Sequence, residues 1–205
     1  MSGINKKFKN VFIHIPKCAG GSMASKDFVG GIGHKTLSML SIEKGFDRSY
    51  IKWCFVRNPY DRIESAYFWI LHKHKNLYKN FLKPAKLTKD KKGLEYFIEN
   101  LEEMLPDVYD PYEKYKCFSA HIYPMFYFIK HPSIRLDFIG RMENIKDDWL
   151  KIISRIEDIS GRKIRNKSLI DNKDKIIRPR KIELDNYHKK IIENVYKKDF
   201  EMFSY

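Results

Sequence analysis

Apolar residues in this chain form short continuous runs separated by longer stretches in which they recur every three or four positions. Val11, Phe12, Ile13 and Ile15 are β-branched or aromatic and predict a buried strand. Tyr50–Val56 predicts a second strand, and Ile134–Ile139 a third, closed by Gly140. Between them, Ile63, Ala66, Tyr67, Ile70 and Leu71 follow helical spacing. They predict a helix from Asn58-Pro59, with Asn58 as cap, to about Leu77. Ser65 lies about 200° round that helix from Ile63, off the stripe, on the side of Arg62 and Trp69. Leu94, Phe97, Ile98, Leu101 and Leu105 mark a helix ending before Pro106, and Tyr112–Tyr123 a further one. Ile145, Trp149, Ile152, Ile153 and Ile156 predict a helix stopped by Gly161. Leu184, Tyr187, Ile191, Val195 and Tyr196 are read as the inward face of a last helix over 183–200. Strands alternating with amphipathic helices imply an α/β fold with a mostly parallel sheet flanked by helices. No interdomain linker interrupts residues 1–205, so a single domain is expected.

The chemistry concentrates at Val11–Met23, VFIHIPKCAGGSM. Pro16 stops the first strand because it cannot donate a ladder hydrogen bond. Lys17, Cys18, Ala19, Gly20 and Gly21 follow, and Ser22 can cap a helix running through Met23 to about Val29. Backbone amides in a small-residue turn, beside a lysine, suit an anionic phosphate. The order differs from that of the nucleotide triphosphatase loop, since Lys17 precedes Gly20 and Gly21. Arg57 ends the second strand. Ligands in such sheets sit beyond the strand C-termini, where Lys17 and Arg57 both fall.

Composition narrows the reading. Of 205 residues, 43% are hydrophobic and 15% aromatic, which fits a globular chain. No apolar run approaches the roughly 20 residues of a membrane span, and MSGINKKFKN lacks a signal-peptide core. The expectation is a soluble, cytoplasmic protein. Cys18, Cys54 and Cys117 form no metal-binding pair. The net charge of +14 favours anionic partners. No recognition motif for nucleic acid accompanies it, so none is expected as a specific partner.

Two segments carry a resemblance. IPKCAGGS resembles the 5′-phosphosulfate loop of sulfotransferases, commonly IPKTAGTS. FVRNPYDRIESAYF resembles their 3′-phosphate segment. His121-Ile-Tyr-Pro124, Asp137-Phe-Ile-Gly-Arg-Met-Glu143, Asn166-Lys-Ser168 and Val195–Tyr205 are similar, in the same order, to later family segments. The chain thus looks like a carbohydrate sulfotransferase of the heparan 2-O and chondroitin type. It departs at Cys18 and Gly21, where threonines are usual, and at Met125, where glutamine is. The resemblance implies a three-layer, P-loop-like fold. It also implies 3′-phosphoadenylyl sulfate (PAPS) as cosubstrate and adenosine 3′,5′-bisphosphate (PAP) as product, with no metal required.

By the same resemblance, Lys17, Cys18, Ala19, Gly20, Gly21, Ser22 and Met23 would hold the 5′-phosphate, and Arg57 and Ser65 the 3′-phosphate. Lys17 would also stabilise the leaving group. A histidine suits the role of general base. His34, in the loop after the first helix, is the first candidate and His121 the second; His14 is expected to point into the sheet packing. The acceptor would be a carbohydrate or other hydroxyl compound. Two other classes stay open on the residues alone: a nucleotide kinase or triphosphatase, and a non-enzymatic basic module for polyanions.

Overall fold

In the computed structural model the described residues are 3–23, 26–31, 33–73, 86–105, 119–168 and 181–205. In chain order the elements are β1 (Ile4–Asn5), β2 (Asn10–Phe12), α1 (Gly20–Met23), α2 (Leu37–Ser41) and β3 (Ile51–Val56). Then come α3 (Pro59–Lys73), α4 (Lys91–Glu99), α5 (Leu101–Met104), α6 (Met125–Ile129) and β4 (Phe138–Arg141). α7 (Ile145–Ser160), α8 (Asn186–Val195) and α9 (Lys197–Phe203) complete the set. Two compact units arise, residues 1–57 with 125–173, and residues 58–124 with 174–205. Among the described residues no helix is long and apolar enough to cross a membrane.

The first unit is built on a four-stranded sheet in the order β1-β2-β3-β4. β1 runs antiparallel to β2, while β2–β3 and β3–β4 are parallel. The fold is therefore α/β with a mixed, mostly parallel sheet. β3 is buried along its whole length, as a strand covered on both faces must be. Its one charged residue, Lys52, reaches the end of the strand, where its ammonium meets Asp137 at 2.8 Å and the Tyr50 carbonyl at 2.7 Å. α7 packs on β3 and β4 through Trp149, Ile152, Ile153 and Ile156 and stops at Gly161, which takes φ +65°. The sequence expects both that stripe and that stop.

Three strand boundaries differ from expectation. The ladder of the opening strand covers only Asn10–Phe12, with one further sheet bond from Ile13 N to Trp53 O at 2.9 Å. β1 is unexpected because its two residues carry no apolar alternation; backbone pairing alone makes it. β4 begins at Phe138 rather than Ile134 and contains Gly140 instead of ending before it. Asp137 explains the shift: its N–H donates to Lys52 O at 2.8 Å and its carboxylate accepts from Lys52 N at 2.7 Å. Asp137 thereby fixes where the β3–β4 pairing starts. Gly140 then lies opposite Phe55, and a Cβ there would sit 2.6 Å from the Phe55 ring.

The second unit is helical, with a core of Ile63, Tyr67, Ile70, Leu94, Phe97, Ile98, Leu101, Ile122, Ile192 and Tyr196. Asn58 caps α3 as expected, its Oδ1 accepting from Tyr60 N at 3.0 Å. The expected end of that helix near Leu77, and most of Tyr112–Tyr123, lie outside the described residues. The helix expected over 94–105 is two, broken at Asn100, whose side-chain amide donates to Tyr96 O at 2.7 Å. The last helix is also two, broken at Tyr196. Tyr187 does not face inward; it is 64% exposed. His188, Ile192 and Tyr196 form the buried i, i+4, i+8 stripe in its place. Asp185 sets that phase by capping α8, accepting from His188 N at 2.9 Å.

Two stability predictions follow from these contacts. Gly140→Ala is expected to cost about 1–3 kcal/mol in urea unfolding, because the new methyl must displace the buried Phe55 ring. The Tyr196 hydroxyl donates to Ile122 O at 2.6 Å inside the helical core. Tyr196→Phe orphans that carbonyl and should cost about 1–3 kcal/mol by the same measurement.

Candidate active site

The Pro16 loop is shaped by two turns. Cys18 N donates to Ile15 O at 3.2 Å, closing a turn with Pro16 and Lys17 at its centre. Lys17 takes φ +69°, the left-handed value that a type II turn requires at its third position. Glycine or asparagine is favoured there; a lysine holds that conformation at a cost of about 1–2 kcal/mol. Ala19 repeats the strain at φ +65°, and Ser22 N donates to Ala19 O at 3.0 Å in the second turn. Both residues are non-glycine and alternate with Cys18, so their strain falls within this loop. α1 is only one turn long, not the helix to Val29 that the sequence suggests; residues 24 and 25 lie outside the description.

The loop side chains divide clearly. Lys17, Ala19 and Ser22 are half-buried and Gly21 is exposed. Cys18 and Met23 are fully buried, so a part played by either runs through its backbone. The Cys18 thiol lies 3.8 Å from the Met125 sulfur, two residues of the same packing layer. Cys54, also buried, has its thiol pushed well above the ordinary range by desolvation and then by nearby Cys18. Both cysteines thus behave as small apolar residues.

Arg57 stands just past the end of β3 and is half-buried. β2 and β3 are in register as Phe12↔Trp53. Lys17 lies five residues beyond the last residue of β2 and Arg57 directly follows β3, so both come after the C-terminal ends of neighbouring parallel strands. Both cations belong to the first unit.

His34 belongs to the same unit and its ring lies 5.3 Å from the His14 ring. Burial pushes its pKa below the ordinary value, so the neutral imidazole is favoured. His14 is itself buried, as expected, but it does more than pack the sheet. A Cβ on Gly20 would fall 1.9 Å from His14 Nε2, so the Pro16 loop rests directly on this ring. Sequence reasoning gave His14 no role. Its position two residues after Phe12 on one strand face was the available signal.

Ser65 and His121 belong to the second unit. Ser65 is 2% exposed, and Arg62 on the same side of α3 is 1% exposed. The off-stripe side of α3 is therefore not an open surface, contrary to the helical phase. The Arg62 guanidinium explains this by donating to Tyr123 O at 2.9 Å, which fastens that side to the turn at residues 119–124. His121 is buried and stacked on Trp69 with ring centroids 3.8 Å apart.

Two of the later segments, around Arg141 and Asn166-Lys-Ser168, are tied within the first unit. Arg141 N donates to Asp148 Oδ2 at 2.9 Å, and Trp149 Nε1 to Lys167 O at 2.7 Å. Lys26 Nζ donates to Ser168 O, which ties Asn166-Lys-Ser168 to the chain just after α1. Glu157 accepts from Lys167 Nζ at 2.9 Å and from Ile164 N at 2.7 Å. These bonds hold its carboxyl at about 2, so it is a structural anion rather than a base.

A family model described as "Sulfotransferase family" matches residues 30–205. The chain belongs to the sulfotransferase family. No curated protein and no solved structure matches the chain. Within this sulfotransferase the matched region takes in Arg57, Ser65, His34 and His121 but begins after the Lys17 loop. The loop is therefore argued from its own turns and its cation.

The environment of His34 gives a direct check. In a histidine NMR titration His34 should show a midpoint below the ordinary value of about 6.5, because desolvation penalises its charged form. The sign for stability follows: the unfolded chain binds the proton more readily. The His34 contribution is therefore fully present above pH ~6.5 and is lost as pH falls through its folded midpoint.

Proposed function

We propose that this sulfotransferase moves a sulfuryl group from PAPS to the hydroxyl of a carbohydrate or related acceptor. The observation that carries the reading is that Lys17 and Arg57 both follow the C-terminal ends of two hydrogen-bonded parallel strands. Two fixed cations at neighbouring strand ends suit a ligand bearing phosphate at two places. The donor set fits such a group: a strained turn with small residues, a lysine within it, and a planar guanidinium able to bind a phosphate bidentately.

PAPS supplies the activated sulfuryl group and a stable bisphosphate leaving group. The protein's part is positioning and charge stabilisation. Lys17 offsets negative charge on the 5′-phosphate side, and the Ala19, Gly20 and Gly21 backbone with the Ser22 hydroxyl orients it. Arg57 holds the 3′-phosphate; the sequence resemblance gives Ser65 a share in that contact. His34 is neutral near physiological pH and accepts the proton of the acceptor hydroxyl. His121, packed flat on Trp69, serves as the alternative base only if His34 proves dispensable.

The test is a thermal melt with and without PAP, followed by calorimetric titration. PAP should raise the melting temperature of the wild type. Lys17→Ala and Arg57→Ala should each weaken PAP binding by about ten- to a hundredfold, the loss of one charge-assisted contact. Absence of any PAP response in the wild type would refute the donor assignment; unchanged affinity in both variants would refute the site.

A further inference from the structure

We propose that His14 is a positioning residue of the transfer site, its one ring serving both as the floor of the phosphate loop and as the support of His34. The inference rests on the reading of the loop and His34 given above. On one side, Gly20 lies so close that an added Cβ would stand 1.9 Å from His14 Nε2, 2.5 Å from Cδ2 and 2.8 Å from Cε1. Only a residue without a side chain fits over the ring. On another side the His34 ring sits 5.3 Å away at 46°.

The ring is anchored in turn. His14 stacks on Phe12 with centroids 6.0 Å apart and planes 26° from parallel. Phe12 packs on Trp53 of β3 at 4.4 Å. The Trp53 indole N–H donates to Asn10 Oδ1 at 3.1 Å, and the Asn10 amide donates to Phe28 O at 2.9 Å. A row of four rings, Trp53, Phe12, His14 and His34, therefore runs from the middle of the sheet to the candidate base. The segment leading to His34 is held at Phe28 and again at Gly30, where a Cβ would meet Ile4 O at 2.3 Å. The loop and the base are twenty residues or less apart in sequence but lack a shared element. His14 gives them one. A shift in its ring moves the phosphate seat and the base together, and misplacement of about 1 Å can cost about a hundredfold in rate.

The decisive experiment is a double-mutant cycle on His14 and Gly20 with PAP as the probe. Gly20→Ala alone should weaken PAP binding about tenfold or more, because its methyl and the ring compete for one space. In a His14→Ala background the same change should cost little, since the methyl enters the space the ring has left. The His34 titration midpoint, followed by NMR, should rise toward the ordinary value of about 6.5 in His14→Ala, as the base loses its covering ring. A purely structural role would give the rescue in stability but leave the PAP affinity of His14→Ala and the His34 midpoint unchanged. If His14→Ala does not fold, His14→Val is used, a β-branched side chain suited to the extended position that still clears Gly20.

Independent effects of the two changes, or an unmoved His34 midpoint, would each overturn the inference. Failure of the wild type to respond to PAP would instead remove the donor reading. The His34 midpoint in His14→Ala then still tests the support of His34 without nucleotide.

Discussion

The parallel pairing of β2 with β3 is the constraint on which the candidate site depends. Three residue pairs and one further bond from Ile13 N fix its register. Because parallel strands end at the same side of the sheet, that pairing brings the Lys17 turn and Arg57 to the same end of the sheet, although forty residues separate them. Neither cation is placed by its own local structure. Lys17 occupies a strained left-handed position, and Arg57 simply follows the last ladder residue. β3 is buried on both faces, so its position is fixed by packing on each side as well as by its ladder bonds.

Much of this was legible from residue pattern, and the reasons are specific. β3 and α7 were readable because burial there is periodic or continuous and their ends carry strong stop residues, Arg57-Asn58-Pro59 and Gly161. The turn after the opening strand was readable because Pro16 cannot donate to a ladder. What failed was phase and length. β4 starts late because a tertiary contact, Asp137 to Lys52, sets its first pairing, and no local propensity reports that. The inward face of α8 was misread by one residue because His188 is polar and Tyr187 is aromatic, yet the Asp185 cap fixes the helix with His188 inside.

The misreading of α3 has the same origin. Helical phase put Arg62 and Ser65 away from the apolar stripe, and an arginine is ordinarily a surface residue. Here the guanidinium is buried because backbone carbonyls at Ala120 and Tyr123 accept from it. A buried charge is tolerable when its donors are satisfied, and satisfaction came from a segment about sixty residues away. Arg62 therefore acts as a strut within the helical unit, while Arg57, five residues earlier and outside that unit, keeps the half-exposed position that a ligand cation needs.

The histidines separate by environment rather than by motif. His121 lies flat against Trp69, and a stacked, buried imidazole gains more from staying put than from moving a proton. His34 is partly covered, favours its neutral form and lies in the same unit as the phosphate loop. A base needs to be neutral before the reaction and able to hold a charge after it. Desolvation secures the first condition but works against the second. The leaving group's negative charge, developing beside Lys17, is what would offset that penalty if both lie at one reacting centre. His14, beneath Gly20 and 5.3 Å from His34, is the residue proposed to hold the two together.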